Sequence, residues 1–384
     1  MPRKICVTIT ARPSYSRIKT ALQAIQQHPD LELQVVLAGS ALLSRYGDMS
    51  TILQQDGIPV HEKVLMLIEG ENPTAMAKTT GLGLIELSTV FQNLQPDAVL
   101  VVADRYETIA VSIAAAYQNI PLIHVQGGEI TGNIDEKVRH ANTKLADIHL
   151  TASDAARQRV IKLGEDPAYV FNTGCPSIDI AKSVLQNPSF DFDPYQKYGG
   201  VGMMPDLSNG YIVVMQHPVT TEYEMAKTQI SITLRALHQQ ALPVLWFWPN
   251  VDAGADGTSQ GIRAYRENNV LSQFHFFKNM MPDDFLKLLY HAKCFVGNSS
   301  VGIRECAYLG VPVINIGNRQ QDRDRAVNVC DVPCEFEAIQ LAIHHSIMLE
   351  RPPSSNLYGD GHAGENIASV LASVPLRFHK KIMF

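Results

Sequence analysis

Short unbroken hydrophobic runs alternate along this chain with longer stretches in which apolar residues recur at helical spacing. Residues 4–10 form the first run, rich in β-branched side chains, and read as a strand. Residues 11–16 read as a turn, 17–27 as a helix and 31–38 as a second strand. Further strands are expected at 60–66, 98–103, 122–125, 148–151 and 168–172, with helices at 74–94, 106–118, 135–145 and 153–163. Strands that alternate with helices predict a parallel, doubly wound sheet. Between 187 and 209 the pattern lapses into Pro, Gly, Asp and Tyr, which reads as a linker. A second alternation follows, with strands at 211–216, 243–248, 274–277, 294–296 and 312–316. Its helices are expected at 222–239, 260–269, 283–292 and 365–373. The expected organisation is an N-terminal Rossmann-like domain at 1–186, a linker at 187–209, a C-terminal Rossmann-like domain at 210–362 and a final helical segment at 363–384.

Bulk properties narrow the class. The 384 residues exceed what one hydrophobic core usually supports, which agrees with two domains. Net charge is −6 and no basic block stands out, so nucleic acid is not an expected partner. No run approaches the ~20 apolar residues of a membrane span. The opening MPRKICVTIT leads straight into a strand, so no signal peptide is expected. Cys6 and Cys294 sit in apolar runs, and Cys330 and Cys334 lack a second Cys/His pair at metal-site spacing. These features predict reduced cysteines, a cytoplasmic location and no metal.

Polar residues fall repeatedly where strands are expected to end. Arg12 follows the first strand, Asp104-Arg105 the 98–103 strand and Gln126-Gly127-Gly128-Glu129 the 122–125 strand. His217, Asn250 and Ser299-Ser300 occupy the same place in the second half. Open α/β sheets bind ligands beyond the carboxyl ends of their strands, so these residues are expected to line one cleft. The stretch from Gly297 to Gln320 reads as strand, turn, helix, strand. Asn298 or Ser299 can cap its helix, whose free amides then favour an anion, with Arg319 and Arg304 nearby in sequence. Glu305 suits the two hydroxyls of a ribose or a surface ion pair, and His217-Pro218 suits a diphosphate contact, a proton relay or a structural role.

The N-terminal half supplies acids instead. Asp104 and Glu129 are the acid/base candidates, Asp135 is either an acid or a helix cap, and Glu107 and Glu136 read as solvated helix positions. There is no G-x-G-x-x-G with a trailing acid, no G-x-x-x-x-G-K-[ST] and no G-x-S-x-G. Dinucleotide, P-loop and nucleophile-elbow chemistry lose their main signals. A phosphate pocket in one half and carboxylates in the other point to a nucleotide-sugar.

In its motifs the chain resembles the hydrolysing UDP-N-acetylglucosamine 2-epimerases. The matching segments are Arg12-Pro13-Ser14-Tyr15-Ser16-Arg17, Asp104-Arg105, Gly127-Gly128-Glu129, Ile134-Asp135, Arg139-His140-Ala141, Thr143-Lys144-Leu145-Ala146 and Gly174-Cys175-Pro176-Ser177. In the second half they are Gln216-His217-Pro218-Val219-Thr220-Thr221, Trp248-Pro249-Asn250, the Gly297–Gln320 stretch and Tyr358-Gly359-Asp360-Gly361. The resemblance implies a glycosyltransferase-B-like fold, two Rossmann-like domains facing a cleft, with the last helix packing back on the first domain. It implies elimination of UDP to a glycal-like intermediate and addition of water, giving N-acetylmannosamine and UDP. Asp104, Glu129, Asp135 and His217 become the catalytic candidates. Arg12, Ser16, Arg105, Gln126, Lys144, Asn250, Met280, Ser299, Ser300, Glu305 and Arg319 become substrate-binding candidates. A UDP-sugar is the implied partner, the chain is expected to form a homodimer or homotetramer, and no metal or redox cofactor is implied.

Three departures bear on the substrate. Gln126 stands where some members carry a carboxylate, Ser14 replaces a frequent acid and Ala103 a frequent glycine. Because an amide cannot act as a base at neutral pH, weight shifts to Glu129 and Asp135. His217 is followed by Pro-Val-Thr-Thr rather than the arginine-rich sequence of the non-hydrolysing branch, which favours hydrolysis. The same chemistry on a UDP-2,4-diacetamido-trideoxyhexose is the first alternative and a non-hydrolysing epimerase the next. A glycosyltransferase would need an acceptor platform, which no stretch supplies, and the acids argue against an idle nucleotide-sugar binder.

Overall fold

In the computed structural model the described residues are 1–43, 49–70, 72–102, 105–131, 134–249 and 254–383. The chain divides into two units, one of Met1–Glu129, Ile134–Asp179 and Tyr358–Phe384, the other of Ile180–Leu357 with Ile130–Asn133.

The first unit contains a seven-stranded parallel sheet. Its strands are β1 (Arg3–Ile9), β2 (Leu31–Ala38), β3 (Glu62–Val64), β4 (Ala98–Val102), β5 (Leu122–Val125), β6 (Ile148–Thr151) and β7 (Val170–Asn172), in the order β3-β2-β1-β4-β5-β6-β7. The chain winds outward from β1 in one direction, then from β4 in the other, so the switch point lies between β1 and β4. Val36, Val99, Val101, Phe91, Ala110 and Ala114 pack one face, buried between sheet and helices as the apolar runs predict.

The second unit repeats the plan. Its sheet comprises β8 (Val201–Gly202), β9 (Ile212–Met215), β10 (Val244–Phe247), β11 (Phe274–Phe277), β12 (Cys294–Gly297), β13 (Val313–Ile316) and β14 (Val329–Val332). The order is β14-β13-β12-β9-β10-β11-β8, which puts the switch point between β12 and β9. Every pairing is parallel except that of β8 with β11.

Local structure departs from expectation in several places. Residues 11–16 are not a simple turn: Arg12–Ser16 is a short helix, started by Pro13, whose fixed φ suits the first helical turn. The stretch expected to be a bare linker carries a helix, Pro194–Tyr198, capped by Asp193, and the edge strand β8. The His275 ring ties that stretch down through the carbonyls of Gly199 (2.8 Å) and Met203 (2.7 Å). Helices also form at Met49–Gln55, Pro176–Gln186 and Phe336–Met348, and β14 adds an edge strand. The helix Ala363–Ser373 packs on the helix Lys19–Gln27, both in the first unit. It has no cap of its own. Asp179 supplies one, accepting from the amides of Ala363 (2.8 Å) and Gly364 (2.7 Å), where a negative charge also complements the helix dipole. Among the described residues no helix is long and apolar enough to cross a membrane.

Candidate functional site

At the switch point of the first sheet, Arg12 opens the helix after β1 and Arg105 follows β4. Arg105 is buried and donates its Nε to Glu107 at 2.7 Å. Glu107 is therefore not the solvated helix position expected: it is 1% exposed, held by Arg105, with Oε2 lacking a hydrogen-bond partner among the described residues. Asp104 lies outside the described residues. Ser16 turns back on its own helix, donating to the carbonyl of Pro13 at 3.0 Å.

One strand further along, Gln126 to Glu129 leave β5. Gln126 is buried and adopts φ +66°, a left-handed conformation that costs on the order of 1–3 kcal/mol for a non-glycine residue. Its Nε2 donates to the Cys175 thiol at 2.9 Å, and that sulfur lies 3.1 Å from Ser177 Oγ. Gly128 has φ +80°, and a Cβ there would meet the carbonyl oxygen of Ala156 at 2.2 Å. Two arginines complete the clamp: the fully buried Arg139 donates to the carbonyl of Glu129 at 2.7 Å, and Arg159 to that of Gly128 at 3.3 Å. Glu129 is 2% exposed, and its backbone carbonyl is pinned by Arg139. Asp135 lies half-buried in the first turn of the helix Ile134–Leu145.

Lys144 does not join this group. It sits at the far end of that helix, where the chain has returned to the amino edge of the sheet. There its Nζ donates to Glu165 (2.7 Å) and to the carbonyl of Leu163 (3.1 Å). Glu165 also accepts from His149 (3.1 Å) and Lys380 (2.6 Å). Burial alone would raise its carboxyl, but these three donors hold it down at about 2.

In the second unit the switch point brings His217, after β9, beside Asn298, after β12. Asn298 clasps the histidine backbone, its Oδ1 accepting from His217 N (2.7 Å) and its Nδ2 donating to His217 O (2.8 Å). Gly297 makes the approach possible, at φ +141° and with a Cβ position 2.1 Å from the Met215 carbonyl oxygen. Ser299, not Asn298, is the cap, accepting from Val301 N at 3.5 Å. The expected single helix is broken: Ser300–Ile303 and Glu305–Leu309 are separate short helices that meet at Arg304, which is buried and donates to Ser300 Oγ at 2.9 Å. A four-residue helix carries little macrodipole, so what this turn offers a candidate anion is its local amides, the serine hydroxyls and Arg319. Arg319 and Gln320 donate to the Asn298 carbonyl at 3.1 and 2.9 Å. Glu305 is 6% exposed with Oε2 unpartnered among the described residues, so it is not a surface ion pair. Met280 is buried in the segment after β11, two strands from β9, and Asn250 lies outside the described residues.

The sequence reading passed over Asn298 as a clasp and treated Arg139 only as part of a motif. Both act on backbone atoms of their neighbours, a role that residue type alone does not signal.

Two doubly wound α/β units, each with candidate polar side chains at its strand ends, define a glycosyltransferase-B-like fold. The chain belongs to the UDP-N-acetylglucosamine 2-epimerase family, whose profile matches residues 23–372. It is 30% identical over its whole length to the hydrolysing UDP-N,N'-diacetylbacillosamine 2-epimerase of Legionella pneumophila, covering 98% of that protein. It is 29% identical to the UDP-N-acetylglucosamine 2-epimerase of Neisseria meningitidis, over 94% of this chain and 92% of that one. Among solved structures, a UDP-GlcNAc 2-epimerase from Neisseria meningitidis bound to UDP-GlcNAc superposes with a TM-score of 0.78 at 16% identity, covering 96% of this chain and 99% of that one.

Proposed function

We propose that this protein is a hydrolysing 2-epimerase of a UDP-2-acetamido sugar, with UDP-N-acetylglucosamine as its substrate. A carboxylate removes the C2 proton as the bond from the anomeric carbon to UDP breaks, leaving a glycal-like intermediate and UDP. Water then adds at the anomeric carbon and a proton returns to C2 on the opposite face, giving N-acetylmannosamine.

The observation that carries this reading is the second switch point, where Asn298 locks the His217 backbone, the Ser299–Ser300 turn follows, and the next short helix carries a buried Glu305 whose Oε2 lacks a partner among the described residues. An anion held by serines and amides, with a carboxylate nearby, suits a ribose diphosphate. The departing UDP gains negative charge, which preorganised donors stabilise. Glu129 and Asp135, with Asp104, are the proposed acid/base groups, and His217 assists the leaving diphosphate. Arg12, Arg105, Ser299, Ser300, Glu305 and Arg319 are proposed to hold UDP. Lys144, bound to Glu165, has no part in this scheme. Full-length kinship with an enzyme named as hydrolysing supports the hydrolytic branch.

The same kinship favours one second reading, a UDP-diacetamido-trideoxyhexose as substrate. Incubation with UDP-N-acetylglucosamine in deuterated water, followed by NMR, separates the outcomes. Free UDP with N-acetylmannosamine deuterated at C2 is expected. A UDP-sugar inverted at C2 but still intact would replace hydrolysis by simple epimerisation. Turnover of the diacetamido analogue alone would replace the substrate.

A further inference from the structure

A cavity of about 620 Å³ opens within the second unit at the carboxyl ends of β9, β13 and β14. Its volume suits a small molecule. Val219, Ile316 and Val332 give it apolar wall, and Glu222, Asp322 and Asp331 give it carboxylates. Its one arginine, Arg325, is already paired with Asp331 at 2.8 Å. A phosphate would face three acids with no uncommitted cation, so a second nucleotide is excluded by charge.

Two of the three carboxylates are themselves engaged. Glu222 accepts from Gln229 (2.7 Å) and Asn318 (2.6 Å), and Asp331 from Asn315 (2.6 Å) as well as from Arg325. Besides the ion-paired Arg325 Nε, the buried atom of the lining left without a hydrogen bond among the described residues is on a neutral group. Gln216 lines the cavity, is only 4% exposed, and its Oε1 has no hydrogen-bond partner among the described residues. A buried acceptor left so pays its desolvation without compensation, which a ligand donor would relieve. The wall is rich in acceptors and wants hydroxyl or amide donors, while its apolar patches suit the C–H face of a sugar ring. We propose that this cavity is a second ligand site, distinct from the anion seat, for an uncharged polyhydroxylated molecule of monosaccharide size, with Gln216 Oε1 as its buried acceptor.

The site adjoins the proposed UDP seat through two residues. Gln216 directly precedes His217, and Asn298, which also lines the cavity, clasps His217 and carries Arg319 on its carbonyl. An occupant that shifts Asn298 therefore alters UDP affinity, and UDP alters sugar affinity by the same factor.

Saturation-transfer NMR with free N-acetylmannosamine and N-acetylglucosamine, at millimolar concentration and with or without saturating UDP, tests the proposal. The expected result is a sugar signal that persists under UDP. Asn318→Trp, which fills the cavity mouth from an exposed loop, should abolish that signal with UDP binding retained. Gln216→Leu, checked for folding by its melting temperature, should weaken the sugar about tenfold. A signal abolished by UDP, a signal unchanged in Asn318→Trp, or no signal in protein that binds UDP would each overturn it. A sugar signal in protein that fails to bind UDP would uphold this site and sink the nucleotide reading instead.

Discussion

After β5, one strand from the first switch point, the polar residues stand on backbone that has almost no other place to go. Gln126 is held left-handed, Gly128 is pressed on the Ala156 carbonyl, and two arginines pin the carbonyls of Gly128 and Glu129. At the second switch point, on the same topology, the rim depends on one side chain: Asn298 holds the His217 backbone and receives Arg319 and Gln320. The contrast matches the tasks proposed for each. Proton transfer at carbon tolerates little misplacement, so its carboxylate belongs on immobile backbone. A diphosphate must be gripped and then let go, which suits hydrogen bonds that one side chain can rearrange.

Glu129→Gln gives the largest expected effect. It should lower turnover by at least ~100-fold while UDP affinity, measured by calorimetry, stays as it was. Loss of UDP binding in that variant would erase the division of labour between the rims. Gly128→Ala comes next. Steric conflict with Ala156 and a φ of +80° should destabilise the protein by about 3 kcal/mol in chemical denaturation. A smaller cost would mean the first rim yields more readily than its packing suggests. Asn298→Ala removes both bonds to His217 and should weaken UDP about tenfold, with melting little changed. An unfolded variant would make the clasp part of the core rather than of the grip.

The smallest effect belongs to the opposite edge of the first sheet. Glu165 is held at about 2, below its usual 4.5, so between those values the unfolded chain binds more protons than the folded one. The stability it confers is complete above about 4.5 and is lost as pH falls toward about 2. The melting temperature should drop through that window, and Glu165→Gln should flatten the drop. Turnover at neutral pH should be nearly unaffected, because this cluster lies away from the rim.

Both sheets were legible because their strands are short apolar runs and parallel strands need helices between them. The rim residues were legible for the same reason, since strand ends mark where ligands can reach. Legibility failed where a neighbour decides. Glu107 reads as a surface residue until Arg105 folds over it, and Glu305 as a surface pair until burial isolates it. Lys144 shares a motif with the site helix, but one helix length carries it to the wrong edge of the sheet. The helix Phe336–Met348 buries Ile339, Ala342, Ile343 and Ser346 at helical spacing, yet it is not among the expected helices. The break at Arg304 has no sequence mark at all.

The order in which the chain leaves the ribosome gives the cap at Asp179 a further meaning. The first unit draws on both extremes of the sequence: Arg3 donates to the Val374 carbonyl at 2.9 Å, and Asp179 waits for the amides of Ala363 and Gly364. Most of the second unit is one continuous stretch, Ile180–Leu357. The half made first is thus the half finished last. In chains halted before Tyr358, the second sheet should already resist proteolysis while the helix Lys19–Gln27 remains cleavable. During synthesis, then, the proposed nucleotide-holding half exists for a time without its chemically active counterpart.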